Sequence, residues 1–196
     1  FNGDNYSLEW HKEAERRGLP NLRNTIDALP ALVEKESKEL FAKYGVLSEE
    51  ELVSRYNIML EDYCKTINIE ALLTGSIATT MILPAALEYQ NRLATTIVQT
   101  KAAVSNINLT TQETMLRELC EKIYQLKTAL EVLESLMRHS ADEENGSSDP
   151  LTHARFYQQK LFPTMNEVRT AADELEILVD DSLWPLPKFR EMLYIY

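Results

Sequence analysis

The stretch TTQETMLRELCEKIYQLKTALEVLESLMRHS, residues 110–140, decides the fold. Leu116, Leu119, Ile123, Leu126, Leu130, Leu133 and Met137 recur along it at steps that alternate three and four. That is the heptad spacing of an apolar seam on one side of a helix, whereas a half-buried strand alternates every two residues. Thr110 or Thr111 is placed to cap this helix, and the pattern fades near Ser140.

Reading outward, Ala141 to Ser148 is a polar, acidic loop without an apolar anchor. Asp149-Pro150 then pairs a capping carboxylate with proline at the first helical position. The helix it opens carries Leu151, Ala154, Leu161, Met165, Val168, Ala172, Leu175 and Val179, with a kink expected at Pro163 and an end at Asp180-Asp181-Ser182. Upstream, Ser48-Glu49-Glu50-Glu51 is a capping box. Leu52, Tyr56, Met59, Tyr63 and Ile67 give its helix an apolar line that runs on to Pro84, where the helix should kink or split. Tyr89, Leu93, Ile97 and Val104 resume the line, and Asn106-Ile107-Asn108 is a turn. Before these, a short helix runs from Ser7 to Arg17 and stops at Gly18 and Pro20. Asn21 to Pro30 reads as a linker with a possible helical turn. A second short helix, with Leu32, Leu40 and Phe41 on one face, runs from about Pro30 to Tyr44 and stops at Gly45.

The predicted fold is therefore all-α. It is an elongated antiparallel bundle of three to four long helices, one kinked or split at Pro84, with short N-terminal helices and an irregular C-terminal tail. Three regions follow: a connector with short helices at 1–47, the long-helix bundle at 48–181 and an apolar tail at 182–196.

Composition narrows the function classes. Only five glycines occur in 196 residues, too few for the tight turns and phosphate loops of strand-rich or dinucleotide-binding folds. The formal net charge of −11 disfavours nucleic acid and anionic membrane surfaces as partners. Cys64 and Cys120 lie within helical patterns and read as small buried hydrophobes in a reducing, cytoplasmic compartment. The chain opens on Phe1-Asn2-Gly3-Asp4, without the basic start and apolar stretch of a signal peptide and without an initiator Met, as a cut inside a longer protein would. Ala71 to Leu87 contains no charged residue and approaches the roughly 17–25 residues of a membrane span. Thr74, Gly75, Ser76, Thr79, Thr80 and Pro84 make a central helix surrounded by other helices the better reading.

The sequence has no GxxxxGK[ST], GxGxxG, CxxC, HExxH or EF-hand pattern. His11, His139 and His153 are preceded three residues earlier by Leu8, Leu136 and Pro150, so the ExxH pair of a di-iron bundle is missing. His139 and His153 flank the acidic loop with Asp142, Glu143 and Glu144 between them. They could approach one end of the bundle as a weak divalent-metal site, or stand as two solvated imidazoles at helix ends. Cys64 has Lys65 as its neighbour, but adjacent helix positions point apart, so an inert buried thiol is expected. Tyr56 and Tyr63 read as core. No catalytic, cofactor-binding or metal residue is assigned. The tail, with Trp184, Pro185, Leu186, Pro187, Phe189, Met192, Leu193, Tyr194 and Tyr196, is too apolar to stay in water. It either folds back over the bundle or docks elsewhere.

Several blocks resemble one family. Phe1-Asn2-Gly3-Asp4 with Tyr6-Ser7 and Glu9-Trp10 is similar to the FNGDGYSxEW segment that leaves the catalytic domain of type III glutamine synthetases. Glu13 to Leu22 and Asp27-Ala28-Leu29-Pro30 continue the likeness. Ser54-Arg55-Tyr56, Leu60-Glu61 and Tyr63 to Ala71 resemble the family's SRYExxLExYxKTINIEA block. Ile82-Leu83-Pro84-Ala85 and Trp184 to Leu193 fit as well, while Leu72 to Met81 departs, since the family often has charged residues there. The resemblance spans the chain. It implies a parent enzyme that joins ammonia to glutamate with ATP and a divalent metal and assembles as stacked hexameric rings. The family's metal and phosphate ligands lie upstream of Phe1, so none maps here. The implied role is a non-catalytic structural and interaction domain, inactive alone, whose partners are its own catalytic domain and neighbouring subunits of a ring-shaped homo-oligomer. The other reading is a free-standing helical-bundle module that binds a protein partner.

Overall fold

The computed structural model describes residues 3–4, 6–144 and 149–193, the side chains of 141–144 and 189–190 apart. Phe1, Asn2, Asn5, the loop positions Asn145 to Ser148, and Tyr194 to Tyr196 lie outside the described residues. Helices dominate, and no strand occurs among the described residues. The chain divides into two compact units, Phe1–Tyr63 and Cys64–Tyr196.

In the first unit, α1 spans Leu8–Arg16, with Ser7 Oγ accepting from Trp10 N at 3.3 Å. Gly18 closes it at φ +69°, a left-handed conformation that costs glycine little. The expected linker contains α2, Thr25–Ala28, capped by Asn24, whose Oδ1 accepts from Asp27 N at 2.9 Å. The predicted single helix from Pro30 to Tyr44 is broken in two. A 3₁₀ turn, Leu29–Val33, ends at Glu34 in extended conformation, and α3 begins anew at Lys35 and runs to Lys43. Pro30 sits where its missing N–H is harmless. No residue of α3 is buried and Leu40 is exposed, so its apolar face is not a core face. The buried side chains of this unit are Ile26, Leu29, Leu52 and Leu60.

Helix α4, Glu49–Ile77, starts on the capping box: Ser48 N donates to Glu51 Oε2 at 2.8 Å, and Glu51 N donates to Ser48 Oγ at 3.2 Å. Its buried line is Leu52, Leu60, Cys64, Ile67 and Ala71, whereas Met59 faces out. Pro84 neither splits nor stops the helix. A π turn, Ala78–Ile82, precedes it, and Leu83 N donates to Ala78 O, five residues back. Proline removes the donor that the regular ladder would have used next, and widening the turn by one residue accommodates the loss. The Thr80 hydroxyl donates to Ser76 O at 2.7 Å. Helix α5 continues over Leu83–Ala103. Asn106, at φ +68°, turns the chain, and Asn108 Oδ1 accepts from Thr110 N and Oγ1 at 3.0 and 2.7 Å, so Asn108 rather than a threonine binds the helix start.

Helix α6, Thr110–Glu144, runs past Ser140, so the first residues of the predicted acidic loop are helical. It packs against both α5 and α8, and Leu119, Leu126, Leu130 and Leu133 are fully buried on it. Asp149 then caps α7, Pro150–Phe156, accepting from Thr152 N at 3.1 Å. Pro163 is handled as Pro84 is: a π turn, Tyr157–Leu161, precedes it, and Phe162 N donates to Tyr157 O. Helix α8, Phe162–Leu178, buries Met165, Val168, Ala171, Ala172 and Leu175. A short α9, Phe189–Leu193, lies within the tail. One expectation is overturned. The apolar helix around Ala71 to Leu87 is not surrounded: Ala71, Ala78, Ile82, Ala85 and Ala86 are buried, whereas Leu72, Leu73, Met81 and Leu87 are exposed.

Leu126→Ala should cost about 2–5 kcal/mol in urea unfolding, because a fully enclosed isobutyl group leaves both transfer energy and a cavity behind. Tyr124→Ala, two residues away on the exposed side, should change stability by less than about 0.5 kcal/mol.

Candidate functional site

The histidines that flank the loop are held by aromatics. His139, near the end of α6, meets Phe156 edge-on with ring centroids 5.4 Å apart. His153, on α7, meets Tyr157 at 4.9 Å and an interplanar angle of 85°, and Phe156 and Tyr157 are themselves in edge contact. The N-terminal turn of α7 and the π turn after it bring these rings together. Edge-to-face contacts of this kind hold the end of a helix pair. His153 Nε2 is buried without a hydrogen-bond partner among the described residues. No group of three or more His, Cys, Asp or Glu side chains among the described residues could hold a metal ion. The side chains of Asp142, Glu143 and Glu144 lie outside the description. Cys64 is buried in α4 and Cys120 is exposed on α6, contrary to the expectation for Cys120, and no disulfide joins them.

The tail turns back onto its own chain. Trp184 is buried, with Nε1 lacking an acceptor among the described residues. Lys188 reaches the Asp181 carboxylate, and Lys188 N donates to Glu191 Oε2 at 3.1 Å. Leu186 joins Leu73, Ile82, Phe162, Val168 and Ala172 in lining a groove of 580 Å³ between α4 with its π turn and α8. A second groove, of 540 Å³, runs between α6 and α8 past Tyr124, Ala129, Val132, Pro163 and Glu174. The Lys122–Glu174 ion pair, 2.9 Å, ties the same two helices. Both grooves mix apolar walls with charged rims: Glu70, Arg169 and Asp173 border the first, Glu167 and Glu174 the second. Neither groove brings three or more His, Cys, Asp or Glu side chains together, so the described residues do not make a divalent-metal site.

Electrostatic perturbation concentrates on α1. Glu13 takes two hydrogen bonds from Arg16, both 2.7 Å, and one of 2.6 Å from Arg17, whose guanidinium lies 6.0 Å from the Trp10 ring centre. These donors, Arg16 first, hold the Glu13 carboxyl down to about 2. Glu113 is lowered chiefly by the hydrogen bond from Lys101, and Asp180 by those from Ser182. All three pairs pin the ends of helices or of turns.

The described residues define an all-helical body with several long helices. The chain belongs to the glutamine synthetase C-terminal domain family, whose model matches residues 1–101. It is 32% identical to a glutamine synthetase of Bacteroides fragilis (strain YCH46) over 194 residues, covering 99% of this chain and 27% of the relative. It is 35% identical to the type-3 glutamine synthetase of Dictyostelium discoideum over 201 residues, covering 100% of this chain and 26% of that one. A glutamine synthetase of Butyrivibrio fibrisolvens matches at 32%, again over 27% of its length. The chain thus spans about a quarter of the length of these relatives.

Two measurements probe the site. In a carbon-detected NMR titration, Glu13 should titrate near 2, and Arg16→Gln with Arg17→Gln should return it toward 4.5. Since the folded value is depressed, the contribution of these pairs is complete above about 4.5 and lost as pH falls through about 2. Trp184→Ala should cost about 3–5 kcal/mol in urea unfolding, as for other enclosed aromatics. Trp184→Phe, which keeps a ring and removes an N–H without an acceptor among the described residues, should cost under about 1.5 kcal/mol.

Proposed function

We propose that this chain is the non-catalytic C-terminal structural and interaction domain of a type III glutamine synthetase. The observation that carries the reading is coverage: relatives named as glutamine synthetases match nearly all of this chain with only about a quarter of their own length. The parent enzyme would ligate ammonia to glutamate with ATP and a divalent metal bound by groups upstream of residue 1. It would work in the cytoplasm as a ring-shaped homo-oligomer. No step of that reaction is derived from the residues present.

Within this reading, residues 1–47 connect to the catalytic domain, 48–181 form an antiparallel bundle of long helices and 182–196 form the tail. The shared burial of α5, α6 and α8 supports the bundle. The burial of Trp184 supports a tail that clamps its own domain. The side chains offered to partners are those that no neighbour in the chain covers.

Purified residues 1–196, given ATP, glutamate, ammonia and magnesium or manganese, should release phosphate at the rate of a protein-free blank. The polypeptide encoded by the complete reading frame should form glutamine. Turnover by the 196-residue chain alone, or an inactive full-length protein, would overturn the assignment.

A further inference from the structure

Helix α4, its π turn and the start of α5 carry two apolar sides. One is the buried line Cys64, Ile67, Ala71, Ala78, Ile82, Ala85 and Ala86. The other lies outside that line, with Leu73 at its edge bordering the groove toward α8. Ile69, Leu72, Leu73, Ser76 and Thr80 recur at helical spacing, and Leu87 extends the series beyond Pro84. Ile69, Leu72 and Leu73 are 57%, 55% and 56% exposed, and Leu87 is 47% exposed. No charge interrupts the strip between Ala71 and Leu87. A helix that is apolar on both sides belongs between two packing partners, and the chain supplies one.

The dimensions of the strip choose the second. At about 1.5 Å per residue, Ile69 to Leu87 is about 27 Å long, and a helix is roughly 10 Å wide. The strip therefore offers about 300 Å². A stable interface between free proteins needs about 800 Å² on each side, so a second copy of this chain would find too little here. A covalently tethered partner meets the strip at high effective concentration and needs less area. The relatives have such a partner, since about three-quarters of their length lies outside the matched region. Lipid fits poorly, because the middle of the strip carries the hydroxyls of Ser76, Thr79 and Thr80 and the chain has a net charge of −11.

We propose that the outward strip Ile69–Leu72–Leu73–Ser76–Thr80–Leu87 is the seat of the catalytic region of the same polypeptide, which lays an uncharged, largely aliphatic helix or ridge along it. The small side chains at Ser76 and Thr80 let that element come close, and the aliphatic groups at either end grip it. This rests on the assignment to a type III glutamine synthetase and adds the surface through which the domain is held.

The test places the photo-cross-linker benzoylphenylalanine at Leu72 of the full-length protein, and at Thr80 in a second preparation. Far-ultraviolet circular dichroism checks that the helices are retained. After irradiation, denaturing gels and peptide mass spectrometry should show a product of single-chain size that joins the probe-bearing peptide to one upstream of residue 1. A dimer-sized band would show that another copy covers the strip and would overturn the proposal. Absence of any product at both positions from folded protein would show that the strip faces solvent or lipid and would overturn it too. Glutamine formation is assayed separately. An inactive full-length protein sinks the enzyme assignment, while the cross-link pattern alone decides the surface.

Discussion

Helix α6 must bury leucine on a seam that two other helices share. Leu119, Leu126, Leu130 and Leu133 are enclosed almost completely, and α5 and α8 both pack on α6. Each of these helices is long, and a long helix in water gains most of its stability from such a face rather than from intrinsic propensity. Removing α6 would leave α5 and α8 with apolar faces and little to set against them. The ion pair from Lys122 to Glu174 and the pair from Lys101 to Glu113 decorate the edges of this packing. They are partly exposed, so they help fix register more than they add stability.

The seam was legible because it repeats. Leu126, Leu130 and Leu133 could be placed in the core from spacing alone, as could Val168 and Leu175 on α8. So could the capping box at Ser48 and Glu51, since its chemistry is local and needs no tertiary partner. What spacing could not tell was where a pattern lacked a neighbour. Leu40 and Met59 fit a helical line as well as Leu60 does, yet both face solvent. Periodicity reports which side chains share a face, and burial depends on whether another element lies opposite. The uncharged run after Ala71 was read as fully enclosed for that reason. Hydropathy on all sides says that cover is needed and does not say that this chain provides it.

The candidate site was less legible than the fold. The family blocks at Tyr63 to Ala71 and Trp184 to Leu193 were recognisable as patterns, but their physical meaning came from coordinates. Cys64, Ile67 and Ala71 are the buried line of α4, and Trp184 anchors the tail. His139 and His153 stood out by type and by the acidic residues between them. Their aromatic surroundings, set by Phe156 and Tyr157, were not foreseeable because that placement depends on the π turn.

The two π turns have a consequence for how this sequence can change length. Each begins six residues before its proline, at Ala78 for Pro84 and at Tyr157 for Pro163, and each holds one residue more than a regular turn. That spare residue is why buried positions can step by four twice in succession, through Ala78, Ile82 and Ala86 and through Tyr157, Leu161 and Met165, without drifting off the core face. Loss of one residue inside either window would restore an ordinary turn and leave the downstream helix facing the same way. The same loss two turns away would swing the rest of that helix by about 100° and carry its buried positions off the core face. The two π turns are therefore marked places where these helices can lose one residue and keep their core face.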